Sequence, residues 1–135
     1  MPLGKRAGQV NTEPLKVEAL YSKQSLKYFK INLAAINNIW LGKSNTGNLG
    51  IGFKNYLNNV TGGPALVTTT ENQLKIIDDL LNGIPNTPSL ETQIATNFVA
   101  LNKLHNEIQK QTRNYKSDMS SLLGISITFS SSDGD

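Results

Sequence analysis

The sequence predicts an all-α helical bundle of about four helices, one of them a long C-terminal helix, followed by a short extended C-terminal segment. Apolar residues recur at steps of three and four over several stretches, which is the stripe of an amphipathic helix. Glycine and proline punctuate those stretches where helices stop. Alternation with a period of two, the mark of an extended chain, occurs only after Gly124.

Residues 1–21 hold Pro2, Gly4, Gly8 and Pro14 and little periodicity, so they read as an extended lead-in that packs through Leu15, Val17, Leu20 and Tyr21. Residues 22–135 read as one domain, since a chain of 135 residues leaves little room for two. The first helix runs from Ser22 or Ser25 to Leu41, with Leu26, Phe29, Leu33, Ile36 and Trp40 along its buried stripe. Ser25 is placed to cap it, and Gly42 to close it in the left-handed conformation.

A Gly- and Asn-rich loop (42–50) leads to a short helix marked by Ile51, Phe53, Tyr56, Leu57 and Val60, closed by Gly62, Gly63 and Pro64. Thr70 and Gln73 have capping-box spacing, which starts the next helix at Thr70; Leu74, Ile77, Leu80 and Leu81 face inward until Gly83 and Pro85. Thr87 is placed to cap the last helix with Pro88 at its first position. Its stripe runs through Leu90, Ile94, Phe98, Leu101, Leu104, Ile108, Tyr115, Met119 and Leu122. Continued to Gly124, such a helix spans about 50 Å, and the polar stretch Gln109–Asn114 is where a kink would fall. Beyond it Ile125, Ile127 and Phe129 alternate with Ser126, Thr128 and Ser130.

Composition excludes several kinds of function. The hydrophobic fraction is 38% and the charged fraction 17%, the balance being Asn, Ser, Thr and Gln, so the chain is not kept unfolded by charge repulsion. The net charge of +3 is spread over scattered lysines with no basic stripe, which argues against a nucleic-acid partner. With no cysteine there is no disulfide, cysteine-based zinc site or thiol nucleophile. No apolar run reaches the roughly 20 residues that span a bilayer. Met1–Pro14 has no apolar core of the kind a signal peptide needs, so the chain either stays where it is made or is a piece of something longer.

The residues that carry chemistry are few. His105 is the single histidine, and the positions three and four away are Leu101, Asn102, Ile108 and Gln109, none of them a fitting second metal ligand. It reads as a core-edge or surface histidine. Asp78 and Asp79 are adjacent and splay about 100° apart on a helix, while Asp133 and Asp135 lack the further oxygens of a calcium loop. Gly47, Gly50 and Gly52 follow no strand and precede no Gly-Lys-Ser/Thr, so they make turns rather than cradle phosphate. Serines abound without a base to activate them. No catalytic residue, metal ligand or cofactor is therefore assigned. Tyr28, Phe29 and Trp40 read as core and core-edge side chains. Asn32, Asn37 and Asn38 are poor helix formers costing a few tenths of a kcal/mol each, which an inter-helix hydrogen bond or a ligand-facing surface would explain.

The run Tyr-Ser-Lys-Gln-Ser-Leu-Lys-Tyr-Phe-Lys-Ile-Asn-Leu-Ala-Ala-Ile-Asn-Asn-Ile-Trp-Leu-Gly (21–42), then Gly-Ile-Gly-Phe-Lys-Asn-Tyr-Leu (50–57), Ile84-Pro85 and the ending Leu-Gly-Ile-Ser-Ile-Thr-Phe-Ser-Ser-Ser-Asp-Gly-Asp (123–135) resembles the C-terminal half of imelysin-family proteins. The resemblance covers residues 15–135 and rests on the order and spacing of these segments. It implies a duplicated all-α architecture of two packed halves, in exported and often lipid-anchored cell-envelope proteins of the periplasm or outer membrane. These are associated with iron uptake or, in older readings, with peptidase activity. The family's Gly-x-His-x-x-Glu motif belongs to the N-terminal half; around His105 this chain has Lys103 and Ile108 where the Gly and Glu would stand. Ser25, Asn32 and Asn38 match the family's first-helix pattern, which implies that they face the groove between halves. The resemblance thus implies a non-enzymatic half-domain whose partner is an N-terminal imelysin-like half, with iron or zinc bound only when both are present. Two alternatives are a fragment of an imelysin-type metallopeptidase and a structural interaction module that forms homo-oligomers through an exposed apolar helix face.

Overall fold

Leu3 and residues 10–126 are described by the computed structural model, in which helices are the only regular elements longer than a single bridge. The order is a 3-10 turn at Pro14–Lys16, α1 (Ser25–Leu41), α2 (Phe53–Leu57), α3 (Gly63–Asn82), α4 (Leu90–Thr96), α5 (Phe98–Arg113), a π-helical turn (Asn114–Met119) and α6 (Ser120–Leu123). The all-α class and the long C-terminal helical run stand as expected from the sequence. Of the extended C-terminal segment, everything after Ser126 lies outside the described residues.

α1 ends where the sequence places its end. Gly42 is left-handed (φ 68°), and its N–H donates to the carbonyls of Asn38 and Ile39. The start differs by one residue and in mechanism. Gln24 is the cap, while Ser25 is the first helical residue and its Oγ accepts the Ala19 N–H at 3.2 Å, tying the lead-in to the helix. In that lead-in Val17 is buried and Leu20 packs on the core, whereas Leu15 and Tyr21 are exposed.

Three boundaries are corrected. α2 is shorter than the 51–60 apolar pattern. α3 starts at Gly63, seven residues before Thr70, with Pro64 in its first turn where the missing N–H leaves no bond unmade. Thr70 is consequently no cap but a fully buried mid-helix residue, and Gln73 reaches across to α5 rather than back along its own helix. The expected helix from Pro88 to Gly124 is broken at Asn97 (φ −151°, ψ 76°), and the first piece starts at Leu90 after a cis Thr87–Pro88 bond. Leu90 and Ile94 of α4 and Leu101 and Leu104 of α5 still share one core on either side of the break.

Two clusters form the interior. One joins Leu26 and Phe29 of α1, Ile77 and Leu81 of α3, Leu90 and Ile94 of α4 and Leu101 and Leu104 of α5. The other is smaller, with Trp40, Leu57 and Val67 at its centre and Tyr115, Met119 and Leu122 against them.

Two carboxylates bind elements across these clusters. Glu91 Oε1 accepts from Lys23 Nζ at 2.5 Å and from Ser89 Oγ at 2.6 Å; Glu107 accepts from Gln73 Nε2 at 2.8 Å and Lys110 Nζ at 2.8 Å. Burial works to raise the Glu91 pKa, but the Lys23 and Ser89 hydrogen bonds outweigh it and hold the group below its ordinary value. The Gln73 amide, then Lys110, lower Glu107 in the same direction. A carboxyl depressed on folding stabilises fully above its unfolded pKa, here near 4.5, and loses that contribution as pH falls through the folded value. Thermal melts are therefore expected to be flat from neutral pH down to about 5 and to fall below it. The double substitution Glu91→Gln, Glu107→Gln should flatten that fall; a decline centred near neutral pH would contradict the assignment.

Candidate functional site

α1, α3 and the α5–π-turn run enclose a groove made of three hollows that share walls. The first, of about 160 Å³, is lined by Ile36, Ile39, Trp40, Phe53, Tyr115 and Met119. The second, of about 70 Å³, is bordered by Asn37, Asp78, Gln111, Thr112 and Tyr115 among aliphatic side chains. The third opens between Asn37, Trp40, Glu71, Lys75 and Asp78.

Local structure sets this geometry. Ile36 and Ile39 sit a helical turn apart on α1, and α2 carries Phe53 against them because the chain doubles back between Gly42 and Gly52. That reversal is held by Gly50 N–H donating to Gly42 O at 2.9 Å and by the Lys43–Leu49 bridge. Asn55 Oδ1 then accepts the Gly52 N–H at 3.0 Å, starting α2. On the far wall the π turn presents Tyr115 and Met119 to α1, with the Tyr115 ring 5.9 Å from that of Trp40 and tilted by 47°. The wider i→i+5 turn re-aims side chains, and such turns are frequent at functional positions. It begins at Asn114, the last residue of the stretch in which the sequence places a kink.

Asn37 Oδ1, Trp40 Nε1, Gln111 Nε2 and the Tyr115 hydroxyl are all buried and make no well-formed hydrogen bond among the described residues. Buried polar groups are nearly always paired, so four in one place mark the groove as different from ordinary core. Burial also raises the Tyr115 pKa, an effect that the neighbouring Gln111 side chain only partly offsets. Asp78 is raised as well, first by burial and then by Asp79. Because the Tyr115 hydroxyl makes no well-formed hydrogen bond among the described residues and engages the Gln111 side chain only weakly, Tyr115→Phe is expected to be neutral or to stabilise by up to about 1 kcal/mol in urea unfolding. A loss of more than that amount would show that the hydroxyl is bonded.

Of the residues that the family pattern implies face a groove, Ser25 is buried beneath the lead-in, Asn32 is exposed on the outer side of α1 and Asn38 is half-buried at its C-terminal turn. They are not brought together. Asn37, Gln111 and Tyr115 are the polar groups the groove assembles, and sequence reasoning missed two of them in this role. The available signal was the four-residue spacing of Gln111 and Tyr115, which puts both on one helical face. His105 is buried on α5. No three His, Asp or Glu side chains gather in a metal-binding group among the described residues.

A family profile described as imelysin matches residues 2–121, and the chain belongs to the imelysin family. No curated protein and no solved structure matches it.

Proposed function

We propose that this chain is a non-enzymatic half-domain of an imelysin-like cell-envelope protein, which completes a ligand- or iron-related site together with a second, N-terminal helical half. The observation that carries the reading is a second apolar face on α1. Leu26, Phe29 and Trp40 are buried, yet Tyr28, Ile31 and Ile39 on the other side of the same helix are exposed. A helix that is apolar on two sides belongs between two layers. Asn32 lies within that face, so a covering half would reach it, and the hollow beside Trp40 opens at the edge of the same face between Ile39 and Phe53.

Calorimetric titration tests the half-site. This chain alone is expected to bind neither iron nor zinc at micromolar affinity, and binding should appear when it is co-expressed with an N-terminal half carrying Gly-x-His-x-x-Glu. Micromolar binding by the isolated chain would overturn the reading. Robust cleavage of a protein substrate by this chain, with or without added metal, would favour the metallopeptidase fragment instead.

A further inference from the structure

The exposed side of α1 continues onto α2, where Phe53 and Tyr56 are also exposed, and the first hollow of the groove opens between Ile39 and Phe53. An apolar face of this extent with a hole in it has the anatomy of an interface whose partner inserts an anchor. A cavity of about 150 Å³ admits a benzene-sized ring, so the hollow of about 160 Å³ suits one large apolar side chain.

Charge identifies the partner further. Between Glu18 and Glu71 the chain has no Asp or Glu at all, while Lys23, Lys27, Lys30, Lys43 and Lys54 fall in that stretch. Lys23 and Lys54 are paired with Glu91 and Glu71, but Lys27 and Lys43 meet no carboxylate among the described residues. Lys23, Lys27, Lys30 and Ile31 line one hollow of about 430 Å³ at the edge of the apolar face. A second copy of this chain would bring lysines against lysines, a juxtaposition that opposes association. A lysine-flanked apolar face also suits an anionic bilayer, but a bilayer surface supplies no anchor side chain for the hollow beside Trp40.

We propose that the outer α1–α2 face docks an amphipathic helix with an acidic flank, its large apolar side chain seated in the Trp40 hollow and its carboxylates over the Lys27–Lys30 hollow. The two hollows are centred some nine residues apart on α1, about 14 Å along the axis. The partner helix therefore crosses obliquely over Ala35, a small exposed residue that permits close approach. The inference rests on the half-domain reading for the existence of a partner and adds its chemistry.

Trp40 is the single tryptophan and lines the seat, so its fluorescence reports occupancy. The probes are two synthetic helical peptides with the same apolar face and one Phe anchor, flanked by Glu in one and by Lys in the other. The Glu peptide is expected to shift the Trp40 emission and to bind at least about tenfold more tightly than the Lys peptide. Added salt should weaken it, and replacing its Phe with Ala should cost a further factor of about ten. Lys27→Glu with Lys43→Glu, both at exposed positions, should invert the preference, with helicity by circular dichroism unchanged. Equal binding of the two peptides would overturn the proposal. So would co-sedimentation with phosphatidylglycerol vesicles in place of peptide binding, or a dimer in light scattering that Ile39→Asp dissolves. If an N-terminal imelysin-like half binds and the lysine reversals leave its affinity unchanged, the charge chemistry fails while the half-domain reading stands. If the Glu peptide binds as stated and no such half does, the half-domain reading fails alone.

Discussion

Replacing Gly52 with alanine is expected to unseat α2 from the end of α1, costing about 3 kcal/mol or more of stability and opening the Trp40 hollow. The reason is space rather than backbone conformation. Gly52 is extended (φ −109°), which any residue adopts, but a Cβ there would lie 2.2 Å from Gly42 N and 2.4 Å from Trp40 O. Both are backbone atoms at the end of a capped helix, so neither yields as a side chain tip would. Either α2 moves outward or the α1 cap opens, and in each case Phe53 leaves Ile39 and Trp40. Urea unfolding gives the cost, and Trp40 emission in the native state should move to longer wavelength as water reaches the ring. An alanine variant with unchanged midpoint and emission would show that the Gly42–Gly52 approach does not organise the site.

The second large effect is expected from Leu104→Ala, a loss of about 3–5 kcal/mol. Leu104 is fully buried where α5 meets α1, α3 and α4 in the larger cluster, so its removal leaves a cavity enclosed by several helices at once. Against a total of about 5–15 kcal/mol for a natural domain, that loss leaves the fold marginal or unfolded near body temperature. Leu122→Ala, at a half-buried position of the smaller cluster, should cost less than half as much. Circular dichroism melts of the two variants compare them directly; equal losses would mean that the two clusters do not differ in packing as burial indicates.

The helical class was readable because its signal is local. Leu26, Phe29, Leu33 and Trp40 repeat with the helical period, and Gly42 and Gly124 stop helices through a conformation that glycine adopts freely. Caps were less readable. Thr70 and Gln73 have the right spacing for a box, yet spacing cannot show that seven earlier residues are already helical, or that the Gln73 amide bonds Glu107, 34 residues away. Thr87-Pro88 reads as a helix start by composition, whereas the chain enters α4 only after Ser89.

The groove illustrates the same division more sharply. Trp40 and Tyr115 are separated by 75 positions, and nothing in either local pattern says that their rings meet. Asn37 drew notice as a poor helix former, but its buried, unpaired oxygen became visible only with α3 and α5 in place. Ser25, expected as the cap of α1, instead holds the lead-in through the Ala19 N–H, a contact that depends on how that irregular segment folds back.

By itself the sequence determined the all-α class, the C-terminal ends of α1 and of the last helix, the absence of cysteine chemistry and the likeness to imelysin, because each is written in neighbouring residues or in their order. Tertiary structure alone decided the break at Asn97, the burial of Thr70, the assembly of the groove and the choice of which α1 face stays open. Those depend on which helices meet, and side chains far apart in the chain acquire partners, or are left without them, only once the helices have packed.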